Sequence, residues 1–538
     1  MTYSFYQLKN HILNDPLSDW FYKMKSQCNR FEEDMPNEFQ LEIKDKKEKY
    51  KKDFINYFKK DYQNIFYENI HSDLILDKIK QNEKCIIYQG NLYHKDLKLN
   101  VQPDLIIHRD IFKEIFNQVN LELPEYIIFD ILYKILHFNS NKTDLLNQSD
   151  IYYYKCKMMI ASECISNDCE QGYLFGKEYR YKEKTLIKKE TIGYFNFNND
   201  YKKTIKDALK WLVKLDKYYG EWKLLPKPSV IELYPNMNIK YGNWNIEKKK
   251  LADEIEEITL VWNISYKNRC ILIDKGITKW SDPILLTNIY SYQIKENKRE
   301  LIQEKMIHIN SQSDLKISPR KIKNKEFINI IQNQNNSIIL DIESIIHLEE
   351  DENYFEIKKN DKPRICIIGT IINNEDLIFK DFTIKYCTNE EEKKNIIYWI
   401  DFLNHTFQNE INVYHWGQAE ISYMKYIQQK YPDIKLPQFK MINLLNYFKQ
   451  EPITIQGCFG YGLKEIVKQL YNLKLIENQW SDDTSGLDAM IKIIKTSEEA
   501  LIKNIPIKRF TEIKKIIYYN YMDCRVIVDI LKMLEGMI

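Results

Sequence analysis

In the stretch "NSIILDIESIIHL" (336–348), two carboxylates, Asp341 and Glu343, follow the apolar run Ile338–Ile339–Leu340. Side chains of a strand alternate between faces, so these two acids point to the same side and can deliver two oxygen ligands to one place. Glu420 comes shortly after the apolar segment "INVYHW" (411–416), in the first turn of a helix that "GQAEISYMKYI" begins. Tyr519 and Asp523 are four apart in the helical pattern "FTEIKKIIYYNYMDCRVIVDILKML" (510–534), hence neighbours on one helix face. Carboxylate-rich sets of this kind suit magnesium or manganese, which take hard oxygen ligands. Two such ions, about 3.5–4 Å apart, activate water and stabilise the leaving oxygen of a phosphodiester. A tyrosine hydroxyl beside them can orient the attacking water.

The elements that must position these residues form the last of three regions. From 335 to 538 the pattern is α/β: after the acid strand, "PRICIIGTII" (363–372) and "LIFKDFTIKY" (377–386) continue an antiparallel meander, and "EEKKNIIYWIDFLNHTF" is a helix. Residues 1–200 form a separate α/β pattern, with strands at "KCIIYQG" (84–90), "QPDLIIH" (102–108), "YIIFDILYKIL" (126–136) and "GYLFGKE" (172–178). Between them, 201–330 is mainly helical, with apolar positions three and four apart. The polar, proline-bearing stretch "NSQSDLKISPRKIKNKE" (310–326) is the linker candidate. The expected fold class is therefore α/β (α+β) and multidomain, in keeping with 538 residues.

Composition narrows the classes. Hydrophobic residues make up 44% and charged residues 29%, a globular balance, and no apolar run approaches the roughly 18 residues of a membrane span. The start "MTYSFYQLKN" lacks the layout of a signal peptide, so the expectation is an intracellular protein, cytoplasmic or nuclear, not secreted and without a membrane partner. The net charge of +2 excludes a strongly basic coat protein, and 70 of the 79 basic residues are lysine. Mixed runs such as "KDKKEKYKK" and "TNEEEKKN" are solvated helix faces. No C-x-x-C pair occurs among the ten cysteines, so no zinc site is expected. Cys156, Cys164 and Cys169 cluster loosely, without the spacing of an iron–sulfur cluster.

Residues 335–538 resemble the ribonuclease H-like 3′–5′ exonucleases of the DEDD type, in particular their YprB-like branch. Asp341 and Glu343 match the first motif, D-x-E. "VYHWGQAE" matches the middle motif, with Glu420 where many relatives have Asp, and "YNYMD" (519–523) matches the third. "GYGLKEIVKQLY" (460–471) and "SGLDAM" (485–490) fit positions between them. The resemblance implies that Asp341, Glu343, Glu420 and Asp523 bind two magnesium or manganese ions and that Tyr519 positions water. One departure is Asn443, where relatives often carry Asp.

"LNVQPDLIIH" followed by "YIIFDILYKIL" resembles the RecB-like branch of the PD-(D/E)XK nucleases. There Asp104 and Asp130 would bind metal, and a lysine two residues after the second acid would polarise water. Leu132 stands at that position, with Lys134 two further on, and Ile55 stands where relatives place a glutamate. The first region is therefore expected to be a degenerate nuclease fold. "NDPLSDWFY", "ELYPN", "EEITLVW" and "GITKWSDP" extend the resemblance over nearly the whole chain, to two-nuclease proteins of large DNA viruses; in such a setting the compartment would be the viral factory. The resemblance implies a metal-dependent 3′–5′ exonuclease acting on DNA, favouring single-stranded or frayed ends, with RNA also possible. The alternative is a decayed, non-catalytic nucleic-acid-binding scaffold.

Overall fold

The computed structural model describes all residues except 1, 28–30, 118, 120, 167–168, 183, 187–190, 241, 286–296, 312–313, 346–362, 374–375 and 482–484. It is mixed α/β. The described residues fall into two compact units, one within 1–36 and 40–255, the other within 37–39 and 256–538. The helical stretch 201–330 is thus shared between the units. Among the described residues no helix is long and apolar enough to cross a membrane.

The first unit is built on a sheet formed by β1 (Phe66–Glu68), β2 (Ile86–Tyr88), β3 (Leu105–His108), β4 (Tyr126–His137), β5 (Gln171–Tyr181), β6 (Lys184–Leu186) and β7 (Gly193–Asn196). Its order is β7-β5-β4-β3-β2-β1, with β6 on β5. β4 is buried along its first seven residues, which is why an apolar run broken at Asp130, rather than an alternating pattern, encodes it. Phe54, Ile55 and Phe58 of helix α1 (Glu38–Tyr62) pack into the core formed by Leu105, Ile107, Phe129 and Phe175. Helix α2 (Ile151–Ile165) packs on β4 and β5. Helix α3 (Asn199–Tyr218) belongs to this unit as well, capped by the Asn198 side chain, which accepts from the backbone of Asp200 and Tyr201.

The second unit carries β8 (Ser337–Ile345), β9 (Arg364–Ile372), β10 (Phe379–Thr383), helix α4 (Asn389–Thr406), β11 (Ile411–His415), helix α5 (Ala419–Lys430), β12 (Phe439–Asn443), and helices α6 (Leu463–Asn472), α7 (Gly486–Lys503) and α8 (Thr511–Glu535). The sheet order is β10-β9-β8-β11-β12. β9 is antiparallel to β8 and β10, whereas β11 is parallel to β8 and β12. Alternation splits β8 between two cores. Ile338, Leu340 and Ile342 face Trp399 and Ile427 of α4 and α5. Ile339 faces the other way, into the core of Val526, Ile527 and Ile530 on α8. Asp341 and Glu343 continue the Ile339 side, toward α8.

The proposed linker is not a free tether. Ile317–Ser318 pairs with Thr454–Ile455, the Ile322 N–H donates to the Met537 carbonyl, and Glu451 accepts from the backbone of Lys323 and Asn324. Ile317 and Ile322 help dock this largely polar stretch on the second unit; residues 312–313 lie outside the described ones.

Candidate metal centre and a neutralised acid pair

β8 and α8 bring three acids together in the second unit. Ligand oxygens of Asp341, Glu343 and Asp523 lie within 4.8 Å of one another. Opposite ligands of one magnesium ion stand about 4.2 Å apart, so the separation suits one or two hard cations. The helix can come this close because Gly369 of β9 stands opposite Asp341; a Cβ there would sit 1.6 Å from Asn520 Oδ1. Asn520 in turn donates from Nδ2 to Asp341 Oδ2 at 2.5 Å, which fixes that carboxylate.

Among the described residues, desolvation and mutual repulsion outweigh the groups that oppose them. Glu343, Asp523 and Glu420 are 7%, 9% and 6% exposed. Burial, then the charges of Asp523, Glu343 and Glu420, pushes Asp341 well above the ordinary carboxylate range. Glu343 is pushed well up by burial and then by Asp523, against the opposing pull of Lys464. Asp523 is raised to about 7, chiefly by burial, although the Tyr519 hydroxyl bonds to it. Tyr519 itself is held firmly protonated by burial and by Asp523. Buried like charges without counter-ions cost several kcal/mol. The fold therefore favours the protonated forms of these acids.

Glu420 is placed by a turn rather than by the sheet. Gly417, at φ +106°, reverses the chain between β11 and α5. Asn443, at the end of β12, clamps this glycine, accepting from its N–H at 3.1 Å and donating to its carbonyl at 2.5 Å. An aspartate there has no N–H for that carbonyl, so Asn443 acts as a brace for the turn. Glu420 Oε2 stands 3.2 Å from Nδ1 of the fully buried His415. Its charge is felt by Asp341, Glu343 and Asp523, but its oxygens are not part of their close cluster.

Sequence patterns missed Lys464. It lies in the first turn of α6, with Nζ 5.0 Å from the Tyr519 ring centre and 5.5 Å from that of Trp480. The segment "GYGLKEIVKQLY" held it, but nothing local distinguishes this lysine from 69 others.

The first unit also brings its two acids together. Asp130 Oδ1 accepts from the Asp104 N–H, and Asp104 Oδ2 accepts from the Ile131 N–H, both at 2.9 Å. Each acid also has a lysine. Lys157 of α2 lies 2.9 and 2.7 Å from the two oxygens of Asp130, and Lys51 of α1 pairs with Asp104 Oδ1. Asp130 is still raised, by burial first, with Lys157 opposing. Lys134 is not brought to the pair. The β4–β5 register shifts between Leu132 and Ile135, which breaks the alternation, and Lys134 bonds to Asp150 instead. Leu132 and Ile55 are both buried apolar residues, Ile55 within the core under α1. Lys51 precedes Ile55 by one helical turn, on the same face of α1.

A scan of family models and a search of curated proteins found no match to this chain.

Proposed function

We propose that the chain is a divalent-metal-dependent nuclease of the ribonuclease H-like, DEDD-type class, whose working site is the acid cluster of the second unit. The observation that carries this reading is the close set of carboxylates of Asp341, Glu343 and Asp523, raised by desolvation and by neighbouring acids against the pull of Lys464, an all-oxygen donor set that suits hard cations. The five-stranded sheet, antiparallel on one side of β8 and parallel on the other, accords with that class. Two magnesium or manganese ions, when bound, supply an activated water and a charge partner for the leaving oxygen. Asp341, Glu343 and Asp523 hold them, with Asn520 keeping Asp341 in place. Glu420, beside His415 at the start of α5, adds its charge to the same cluster and would be the fourth metal ligand. Tyr519 stays protonated, so its hydroxyl can donate to and accept from an attacking water. Lys464 offers a positive charge near Glu343 and Asp523 that would stabilise a scissile phosphate bound there.

We infer for the first unit a RecB-like nuclease fold that no longer cleaves. Leu132 and Ile55 replace two chemical groups of that class, and Lys51 and Lys157 already neutralise its acids. The substrate we propose is DNA with a single-stranded or frayed 3′ end. The test is cleavage of end-labelled single-stranded, duplex and hairpin DNA, and of RNA, with magnesium or manganese. Stepwise loss from the 3′ end, abolished by Asp341→Ala with Glu343→Ala while DNA affinity persists, supports the reading. No cleavage of any substrate by the unaltered chain leaves the non-catalytic scaffold in its place.

A further inference from the structure

A second reactive group lies in the second unit, outside the acid cluster and unused by the chemistry above. Cys366 is in β9 and fully buried; Cys387 follows β10 and is partly exposed. The Ile384 N–H donates to the Cys366 carbonyl at 3.0 Å, which continues the β9–β10 ladder and carries the chain round to bring Cys387 back to Cys366. Cys387 packs against the core that contains Cys366, and the Cys366 thiol donates to the Arg364 carbonyl at 3.5 Å. Arg364, two residues before Cys366, donates from Nη1 to Cys387 Sγ at 3.4 Å and to the Cys387 carbonyl at 2.6 Å. Its Nε and Nη2 reach Asn389 Oδ1 at 3.4 and 3.3 Å, so the guanidinium is held on three sides.

The pair is asymmetric. Donation from Cys366, and then the Arg364 charge, draws Cys387 down to about 6 despite its burial. Cys366 is pushed well above the ordinary thiol range by burial and by Cys387 itself. The Arg364 guanidinium on Cys387, and not on Cys366, favours the charged form of the Cys387 sulfur. A packing role does not need this arrangement: half-buried Cys164, with no cation on its sulfur, is raised by burial to about 12.

We propose that Cys387 is an oxidation site for hydroperoxides and that Cys366 is the thiol that closes the disulfide. The Cys387 sulfur attacks one peroxide oxygen, and the O–O bond breaks. The leaving alkoxide, or hydroxide, takes a proton from water, and Cys387 becomes a sulfenic acid. The Cys366 sulfur then attacks the Cys387 sulfur. The S–S bond forms, the S–O bond breaks, and the hydroxyl leaves with the Cys366 proton as water. The two sulfurs give up the two electrons that reduce the peroxide. The Arg364 guanidinium acts by holding the attacking thiolate. This inference stands apart from the nuclease reading, since neither thiol belongs to the acid cluster.

The test uses the reduced full chain and a limiting amount of hydrogen peroxide, followed by alkylation of remaining thiols and peptide mass mapping. The expected result is a Cys366–Cys387 link formed before oxidation at the partly exposed Cys164, Cys169 or Cys270. Cys366→Ser should leave a Cys387 sulfenic acid that dimedone traps, and Cys387→Ser should leave Cys366 unoxidised. Arg364→Gln should slow iodoacetamide labelling of Cys387 about tenfold. Labelling of Cys387 in the unaltered chain no faster than that of Cys164, or peroxide oxidation that spares the pair, overturns the proposal without any substitution.

Discussion

The two acid sites start from similar sequence and end in opposite electrostatic states. In the first unit, Asp104 directly precedes β3 and Asp130 lies within the adjacent β4, and each carboxylate is met by a backbone N–H and a lysine. In the second, Asp341, Glu343 and Asp523 converge with Glu420 close by, and among the described residues Lys464 is the lysine that opposes them. Strand-borne acids mark both places. What separates them is the helix packed alongside: α1 and α2 present lysines, whereas α8 presents another aspartate and a tyrosine. A cation site is defined by the charge left over after the protein has answered its own acids.

That contrast can be broken most forcefully by Asp341→Ala with Glu343→Ala. Metal-dependent cleavage should fall at least about a thousandfold, the scale of several kcal/mol of charge stabilisation. Lys157→Ala should act on folding instead. It strands Asp130, 1% exposed, without its counter-ion and should cost about 3–5 kcal/mol in chemical denaturation. A neutral outcome for Lys157→Ala would show that the first site is not held by its lysines. Gly369→Ala drives a methyl group into Asn520 and should move α8 away from β8, lowering cleavage about a hundredfold with a smaller loss of stability.

The pH dependence has a defined sign. Asp523 titrates at about 7 when folded against 3.8 as a free side chain, so the folded, metal-free chain binds the extra proton. Its contribution to stability is present below pH 3.8 and is lost as pH rises through about 7. Magnesium should therefore raise the melting temperature more at pH 8 than at pH 5, and Asp523→Asn should stabilise the metal-free chain at pH 8, on the order of 2 kcal/mol. The smallest expected effect is none. Leu132→Lys with Ile55→Glu restores two groups to the first unit but puts a carboxylate into the α1 core, and we expect no new cleavage. New cleavage there would mean that the lysines do not block metal.

Much of the framework is legible because apolar runs encode it. "YIIFDILYKIL" lies within strand Tyr126–His137, and "FTEIKKIIYYNYMDCRVIVDILKML" matches helix Thr511–Glu535. The i, i+2 spacing of Asp341 and Glu343 and the i, i+4 spacing of Tyr519 and Asp523 survive as shared faces, because those periods are properties of the backbone. Residues that enter a site from distant elements are not legible that way. Lys157, Lys51 and Lys464 look like any lysine in a chain of 70, and only tertiary packing selects them. Lys134 shows the converse: alternation puts it beside the acid pair, and one register shift sends it to Asp150. Strand Phe439–Asn443 runs directly into the helix Leu444–Gln450, so no turn residue separates two periods and the strand goes unread.

Manganese diffraction from the full chain, with anomalous maps, asks both halves of the contrast at once. We expect density for the ion among the carboxylates of Asp341, Glu343 and Asp523, and none between Asp104 and Asp130. Ions at Asp104 and Asp130 with Lys51 and Lys157 displaced, or a second-unit cluster that stays empty at saturating manganese, would contradict the assignment.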